Sequence, residues 1–600
     1  MKLLCFSLVL ILSSCTSLKN REYSKEEIAH NSQKINQFFE RTFMETVDRY
    51  PEFQTYLGIK KDYGQFNDIS DEMEKKELER SKKTLKDLRK FNFHALNYDA
   101  QISYRILEED LLQDIENYKF RHHDYPVNQM FGRHSELPSF MINMHEVKTK
   151  KDAEDYISRL NLFKPQFDVL ITNLETRKNK KILAPKFVYP KAISDSQNII
   201  TGFPFDKKSK DSPLYSDFKK KLSTLKLNKT ENEKFLKDLT SALFTSVRPA
   251  YQNLILKLKE LETHAPMEGS AEALPDGKNF YATRLKKITT TDLSAKEIHK
   301  IGLNETKRIH EEMKAIVKSV GFKGTLFEFF NHLRTDPQFR YSDTLKGKAK
   351  YLSDSNATIA KMKTRLPEMF GILPKADLIV KAVEPYREAS AGMAFYQGPS
   401  EDGSRPGIYY VNLHDMDAVT KYEQEALAYH EALPGHHMQI SISKELEDIP
   451  KFRKHGGFTA YSEGWGLYAE YLPKEFGFYQ DPYSNFGRLA MELWRAARLV
   501  VDTGLHEKGW SMEEAVKWLD TNTPSPHNEN VRAIQRYIVM PGQATAYKIG
   551  MLKILELRNY AQKELGDKFD IREFHDQVLK DGALPLNILE EKIQSWVKSI

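Results

Sequence analysis

One eight-residue stretch decides how this sequence is interpreted: His430-Glu-Ala-Leu-Pro-Gly-His-His437. It holds three of the chain's 18 histidines, with a glutamate beside the first and a Pro-Gly pair before the other two. Histidine and carboxylate side chains are common metal ligands, and a kinked, His-rich turn between apolar flanks is costly to bury without a ligand. The stretch therefore predicts a metal site on a distorted helix. The alternative is a surface helix with a polar kink and chance histidines.

The spacing departs from the His-Glu-x-x-His signature of zinc peptidases, in which two histidines share one helix face. Here Pro434 occupies the position of the second histidine. On a regular helix His436 would lie about 120° around the axis from His430, and His437 about two turns along it. Pro434 breaks the helical hydrogen bonding and Gly435 permits unusual dihedral angles. We therefore expect an inserted turn that returns one histidine to the metal.

The third ligand is expected from a later helix, Phe458-Thr-Ala-Tyr-Ser-Glu-Gly-Trp-Gly-Leu-Tyr-Ala-Glu470. Its glutamates, Glu463 and Glu470, are seven residues apart and so share one face. A carboxylate on such an apolar helix is costly unless it is paired or bound to metal. One glutamate is thus a candidate ligand, and the other can pair with a basic residue or orient a histidine.

The N-terminus has the pattern of an export signal, in which Lys2 precedes an apolar run from Leu3 to Leu12. This run is shorter than the roughly 20 residues that span a bilayer. Leu12-Ser-Ser-Cys15 resembles the processing box of bacterial lipoproteins, which implies cleavage before Cys15 and acylation there; an ordinary signal peptide is the alternative. Thr16-Ser17 lacks the aspartate that retains such lipoproteins at the inner membrane, so an outer-membrane anchor is expected, facing the periplasm or the cell exterior.

Composition excludes several classes of function. The two cysteines are Cys5, inside the signal, and Cys15, so the mature chain is expected to lack disulfides, cysteine nucleophiles and thiolate metal sites. The net charge of +6 is spread over interleaved acidic and basic residues, which excludes a nucleic-acid stripe. Oligomeric state is not indicated by any pattern.

Helical periodicity dominates from about Lys25 onward, and no linker divides the chain. We expect a mainly α protein with a signal peptide at 1–14, a lipid anchor and tether at 15–34, and one large helical domain at 35–600. The exception is a pair of β-branched and aromatic runs, Asp377–Val383 and Gly407–Leu413, with Ala394-Phe-Tyr-Gln397 between them. They predict a small antiparallel sheet immediately before the His-rich helix.

The eight-residue stretch resembles the hallmark of the bacterial family known as domain of unknown function 885. Further matching motifs run from Pro51-Glu-Phe-Gln-Thr-Tyr-Leu-Gly58 through Ala460–Glu470 and Asp502-Thr-Gly-Leu-His506 to Arg536-Tyr537 and Pro541–Tyr547. The resemblance covers roughly residues 35–595. It implies a largely helical, single-domain fold similar to helical zinc peptidases with a deep channel, such as angiotensin-converting enzyme and the Taq-type carboxypeptidases.

The likeness to those peptidases implies a ligand set. Glu463 lies 33 residues after His430, which is similar to their spacing once the insertion is allowed for. Their second histidine ligand follows a glycine, as His436 follows Gly435. His437 is the alternative, because His437-Met-Gln439 resembles the His-x-Gln of angiotensin-converting enzyme.

The resulting hypothesis is zinc-dependent hydrolysis of peptide bonds outside the cytoplasm. Zinc is held by His430, His436 and Glu463, and Glu431 is the general base. Tyrosine and histidine stabilise the oxyanion in the resembled enzymes, so the candidates for this role are Tyr547, Tyr537 and His506.

Substrate contacts are expected from two sources. The strand Gly407–Leu413, with Tyr410, would pair with the substrate backbone. A substrate carboxylate would be bound by an arginine, for which the candidates are Arg536, Arg405 and Arg498. The alternatives to a peptidase are a zinc-binding lipoprotein without turnover and a metal-dependent hydrolase of non-peptide amides or esters.

Overall fold

The computed structural model describes residues 22–206, 210–384, 388, 392–400 and 405–600. The expected signal peptide, Cys15 and the first part of the tether lie outside these residues. The described chain is mainly helical with one small sheet, as expected. None of the helices in the described ranges is long and apolar enough to cross a membrane.

The helices of the first half are α1 Lys25–Arg49, α2 Pro51–Tyr56, α3 Asp71–Leu88, α4 Tyr98–Asn117, α5 Arg133–Asn143, α6 Lys150–Asn161, α7 Phe163–Asn179, α8 Val188–Ile199, α9 Pro213–Leu222, α10 Lys229–Ala242, α11 Arg248–His264, α12 Gly277–Thr289, α13 Ala295–Ser319, α14 Leu326–Thr335 and α15 Leu345–Arg365. After the sheet come α16 Lys421–Glu431, α17 His436–Glu445, α18 Lys451–Lys454, α19 Thr459–Glu475, α20 Pro482–Glu507, α21 Met512–Asn522, α22 His527–Val539, α23 Ala546–Leu565, α24 Ile571–Leu579 and α25 Leu586–Ser599.

The first helix begins ten residues before the expected start of the domain. Ser24 and Glu27 form a capping box, so α1 starts at Lys25. Ser32 is buried, and its hydroxyl accepts a hydrogen bond from the Asn97 amide. The last part of the expected tether is therefore packed helix, which corrects the boundary at residue 35.

The functional part of the chain is organised around α20, which is buried along most of its length. Helices α13, α16 and α23 pack against it, and α19 packs against α23. At the crossing of α19 and α23, Gly464 meets Gly550: a Cβ on Gly464 would lie 2.5 Å from the Gly550 Cα. This close approach sets the residues next to Gly464 beside the start of α23.

The sheet consists of β1 Leu378–Ala382, β2 Ala394–Gln397 and β3 Gly407–Val411 in the order β1-β3-β2. Strand β2 is antiparallel to β3, but β1 is parallel to it. The sheet is therefore mixed, and the expectation of an antiparallel sheet is wrong in this respect. The reason is that the chain reverses twice between β1 and β3, so β3 runs in the direction of β1 and separates it from β2.

Candidate metal centre

The helix that carries His430 breaks where the sequence predicted a break. Helix α16 ends at Glu431, and α17 begins at His436. Gly435 lies against the end of α16, where a Cβ would be 2.0 Å from the carbonyl oxygen of His430. The indole Nε1 of Trp465 on α19 donates to the Pro434 carbonyl over 2.9 Å. The connecting turn is thus pinned to α19, the helix that carries Glu463.

Three of the expected ligands lie together. His430, His436 and Glu463 each offer one atom, and these atoms lie within 4.8 Å of one another. Oε2 of Glu463 is 3.6 Å from Nε2 of His430 and 3.5 Å from Nε2 of His436. Around a tetrahedral zinc ion with bonds of ~2.0–2.1 Å, two ligand atoms lie roughly 3.3 Å apart. The cluster therefore has the donor set and nearly the spacing of a His/His/carboxylate zinc site.

Space for the His430 ring depends on a missing side chain. A Cβ on Gly466 would lie 2.8 Å from Cε1 of His430 and 3.0 Å from its Nε2. The two glycines that flank Trp465 thus have separate roles: the absence of a side chain at Gly464 lets α23 pack closely, and its absence at Gly466 leaves room for the His430 imidazole.

The second glutamate of α19 orients the first histidine. Oε1 of the buried Glu470 is 2.7 Å from Nδ1 of His430, which leaves Nε2 of that ring for the cluster. Arg495 approaches the same Glu470 oxygen at 3.7 Å. A carboxylate that holds the outer nitrogen of a histidine is typical of metal centres. Burial opposes protonation of His430, but Glu463 and Glu470 together raise its pKa to about 10.

The pKa values of two glutamates beside His430 are shifted in opposite directions. Burial raises the pKa of Glu431, although the neighbouring His430 and His436 oppose this shift. Burial also disfavours ionised Glu463, yet hydrogen bonds from the two histidines hold its pKa well below its usual range. Glu463 is therefore the ionised ligand candidate, while Glu431 is the more basic carboxylate.

His437, the alternative ligand, is engaged elsewhere. Its Nε2 lies 3.1 Å from the carbonyl oxygen of Ala376, and its Nδ1 lies 2.9 Å from the hydroxyl of Tyr396. It thus links α17 to β2 and to the segment before β1. Of the two adjacent histidines, only His436 joins the cluster.

A sequence comparison identifies the family. The profile described as "Bacterial protein of unknown function (DUF885)" matches residues 51–593. The chain belongs to the DUF885 family. No curated protein matches it.

Two solved structures share the fold of this DUF885 chain. One is described as "the putative lipoprotein from Colwellia psychrerythraea"; it is 31% identical with a TM-score of 0.87, and the match covers 95% of this chain and 100% of that one. The other is "a putative lipoprotein of unknown function from Shewanella oneidensis", with 16% identity, a TM-score of 0.73 and coverage of 93% and 99%.

Two of the expected tyrosines in the DUF885 chain meet at Arg498. Nε of Arg498 donates to the hydroxyl of Tyr537 over 3.0 Å, and its guanidinium lies 4.7 Å from the ring centre of Tyr547. The ring centre of Tyr547 also lies 5.9 Å from the guanidinium of Arg495, which approaches Glu470. Arg536, by contrast, donates to the side chain of Gln543 over 2.7 Å. Tyr547 is therefore connected to His430 through Arg495 and Glu470, whereas Arg536 is engaged by Gln543.

His506 is not available for chemistry. Its Nδ1 accepts from the Ala271 amide over 2.9 Å, so its Nε2 carries the proton and donates to the Tyr537 carbonyl over 3.0 Å. Burial lowers the pKa of His506 to about 4, which keeps the ring neutral. The expectation of a catalytic His506 is wrong, because both ring nitrogens are used to hold backbone.

The expected role of Tyr410 and its strand is also corrected. Strand β3 is central, so both of its edges are already paired and it has none left for a substrate. Tyr410 stacks on Phe395 with ring centres 5.0 Å apart and packs with Val383 on one sheet face. Tyr409 points to the other face, where burial and then the charges around it, including Glu431, raise its pKa well above the usual value.

Arg495 was not predicted from the sequence, and Arg498 was predicted only as a candidate to bind a substrate carboxylate. Both lie on α20, Arg495 partly exposed and Arg498 buried, in a polar series that continues to Asp502 at spacings of three and four residues. Charged residues at helical spacing within the apolar run Leu493–Leu505 were a usable signal, since such groups need partners when buried.

Proposed function

We propose that this chain is a zinc-dependent peptidase whose metal is held by His430, His436 and Glu463. The observation that carries the proposal is the convergence of these three donors at a helix break, with Glu431 next to them and outside the ligand set. Two imidazoles and one carboxylate with a fourth position free is the donor set of catalytic zinc sites. A storage or scaffolding site has no need of a base beside its ligands.

Different residues of the chain have different roles in the proposed hydrolysis. When bound, zinc would supply positive charge that polarises the scissile carbonyl and acidifies water. Glu431 accepts a proton from the attacking water, whose oxygen bonds to the carbonyl carbon. The proton passes to the amide nitrogen as the C–N bond breaks, so one water yields a carboxylic acid and an amine. Glu470 keeps the His430 ring in place throughout.

Substrate binding is assigned to groups that border the cluster. Tyr547 and Tyr537 stay candidates for hydrogen-bonding the developing oxyanion, because both contact Arg498 and Tyr547 also contacts Arg495, which approaches Glu470. Strand β2 replaces β3 as the strand that pairs with substrate backbone. It lies at a sheet edge, packs next to α16, and among the described residues pairs only with β3.

We also propose that the protein is attached to the cell envelope through lipid on Cys15, in the outer membrane and facing the periplasm or the exterior. The support is the processing box at Leu12–Cys15 and the description of the Colwellia protein as a lipoprotein. Cells fed a tagged palmitate should label the wild-type chain and leave Cys15→Ser unlabelled. Equal labelling of both chains would contradict the assignment.

The peptidase proposal is tested by metal content and peptide digestion on the full chain. We expect one zinc per chain and cleavage of a peptide library that a chelator abolishes. Glu431→Gln should retain zinc and lose at least about 100-fold in hydrolysis, the usual contribution of a general base. His436→Ala should lose zinc, while the matched His437→Ala should keep it.

Other outcomes select other functions. Full hydrolysis by the Glu431→Gln protein would refute the mechanism. Tightly bound zinc without cleavage of any peptide would favour a zinc-binding lipoprotein. Turnover restricted to non-peptide amides or esters would favour a different hydrolase.

A further inference from the structure

One face of α12 borders a cavity of about 270 Å³. The cavity lies between this helix, the turn after α4 and the connection from α22 to α23. Its residues from α12 are three or four positions apart and so share one face of the helix: Phe280, Thr283, Arg284 and Lys287. Tyr281 lies on a different face, where its hydroxyl donates to Asp502 of α20. Of the described residues that line the cavity, none belongs to the metal cluster, so the cavity is separate from that centre.

Arg284 is a cation without a partner in this cavity. Its guanidinium makes no hydrogen bond and no ion pair with any residue that the structure describes, and its nitrogens are accessible to a molecule of the size of water. The acidic side chain in the lining, Asp124, is instead bonded to Arg177 over 2.5 Å. Burial lowers the pKa of Arg284, and the charges of Asp124 and Asp502 oppose this shift without forming an ion pair. A partly buried guanidinium without an anion is costly, so the cavity favours an anionic ligand.

Two more hydrogen-bond donors of the lining are uncommitted. The ring of Tyr125 is buried, but its hydroxyl has no partner among the described residues, and the same is true of the side-chain amide of Asn117. Lys287 adds a further positive charge and is half-exposed, with its Nζ 3.5 Å from Asp114. The uncommitted polar groups at the cavity are thus mainly donors, as the binding of an anion requires.

The rest of the lining is apolar and rich in aromatic rings. It includes Phe120, Phe131, Phe280, Leu274, Val539 and Met540. The ring centres of Phe120 and Phe280 are 5.6 Å apart, and that of His123 is 4.9 Å from Phe280. Nε2 of His123 lies 2.7 Å from the Pro275 carbonyl oxygen, so this part of the wall is held in place. An apolar cavity of ~150 Å³ admits one benzene molecule, so this one has room for an aromatic ring with a short charged chain.

We propose that this cavity binds a small carboxylate that carries an aromatic ring, with the carboxylate on Arg284 and the ring against Phe120 and Phe280. The planar guanidinium presents two parallel N–H groups, a geometry that matches a carboxylate. A free amino acid does not fit this site, because its ammonium group would lie near Arg284 while Asp124 is committed to Arg177. The ligand is therefore an aromatic acid without an amino group. The inference is independent of the proposed peptidase function and adds a second ligand site to the chain.

Calorimetry on the full chain with chemically matched probes tests the site. The probe is 3-phenylpropanoate, and its neutral amide, 3-phenylpropanamide, has the same ring and chain without the charge. We expect the acid to bind at least about tenfold more tightly than the amide, as for hydrogen bonds to a charged group. Propanoate, which lacks the ring, and phenylalanine, which adds an ammonium group, should each bind at least about tenfold more weakly than 3-phenylpropanoate.

Variants of the arginine locate the charge. In Arg284→Gln the acid should lose its advantage over the amide, whereas Arg284→Lys, which keeps the charge and loses the paired N–H groups, should retain part of it. The matched control is Arg248→Gln. Arg248 is likewise partly buried, lies 5.2 Å from the ring centre of Phe244 and does not line the cavity, so its replacement should leave the preference unchanged. Thermal unfolding of each variant reports the fold.

The comparison of probes on the wild-type chain is decisive even where a variant fails to fold. Equal affinity for acid and amide, or no saturable binding of either, would overturn the site. Binding that a chelator abolishes would place the carboxylate at the metal centre and would overturn it as well, whereas binding that survives the chelator supports a separate cavity. Phenylalanine bound as tightly as 3-phenylpropanoate would overturn the exclusion of amino acids.

Discussion

At the scale of single residues, the choice between His436 and His437 shows what the sequence could not decide. Both are histidines at the start of α17. On a regular helix neither of them would lie close to His430, so their spacing does not favour one as the ligand. The directions of the two side chains are set by residues far away in the sequence. Trp465 holds the turn by a hydrogen bond to the Pro434 carbonyl, and the two ring nitrogens of His437 lie at hydrogen-bonding distance from Tyr396 and Ala376. The residue types of the cluster and the helix break between the histidines were predictable, but the direction in which the helix resumes depends on tertiary packing.

Gly466 provides the sharpest single-residue prediction for the metal centre. In Gly466→Ala the new methyl would collide with the His430 ring, which cannot move without leaving Glu470. We expect zinc to bind at least about tenfold more weakly, an effect typical of changes that disturb ligand orientation. Competition with a chelator measures the affinity, and thermal unfolding of the metal-free protein reports the fold.

The control for this substitution lies just before the same helix. A Cβ on Gly457 would meet nothing within 4 Å, so Gly457→Ala should leave zinc affinity unchanged. If Gly466→Ala binds zinc as tightly as the wild type, the imidazole is not confined in the way described above.

At the scale of elements, helices and strands were predictable in position more than in arrangement. The apolar periodicity of the chain is satisfied by any packing that buries the same faces, so it predicts helices without their partners. The three strands were found in place, but the direction of β1 relative to β3 was not, because a strand pattern specifies faces and not neighbours. That difference bears on the proposed function: β3 is central and has no free edge for a substrate strand, whereas β2 lies at the edge of the sheet.

The glycines of α19 show the same limit for helix crossings. Their sequence, Gly464-Trp-Gly466, indicates close packing but does not indicate which part of the chain packs against each glycine. The structure distinguishes the two: Gly464 lies against the backbone of Gly550, and Gly466 lies against His430. One crossing of helices therefore brings together the proposed ligand Glu463, the Glu470 that holds His430, and the start of α23, where Tyr547 lies.

At the scale of the whole molecule, the single helical domain was predictable and its first boundary was misplaced. The Ser24–Glu27 capping box is visible in the sequence and marks the true start of α1. The buried charges of α20 were harder to foresee, because their partners come from separate parts of the chain. Lys548 of α23, for example, is fully buried between Glu492 of α20 and Glu305 of α13.

Asp502, a buried carboxyl group on α20, makes the free energy of unfolding depend on pH. Asp502 is fully buried; its Oδ1 accepts from the Tyr281 hydroxyl and the Gly542 amide, and Oδ2 has no partner among the described residues. Burial raises its pKa to about 7, although the Tyr281 and Gly542 hydrogen bonds and the charge of Arg284 oppose the shift. An unfolded aspartate has a pKa of about 3.9. Between these values the folded protein retains a proton that the unfolded chain has released.

The sign of the resulting effect is opposite to that of a salt-bridged carboxylate. Because the folded state binds more protons in this window, the contribution of Asp502 to the free energy of unfolding falls as the pH rises from about 4 to about 7. Asp502→Asn mimics the protonated form and keeps an oxygen for Tyr281 and Gly542. We therefore expect the variant to be more stable than the wild type at pH 8 and to lose less stability between pH 5 and pH 8. Urea unfolding of both chains at the two pH values, with the same zinc concentration, isolates this group from the histidines; parallel losses in the two proteins would show that Asp502 is ionised in the folded state.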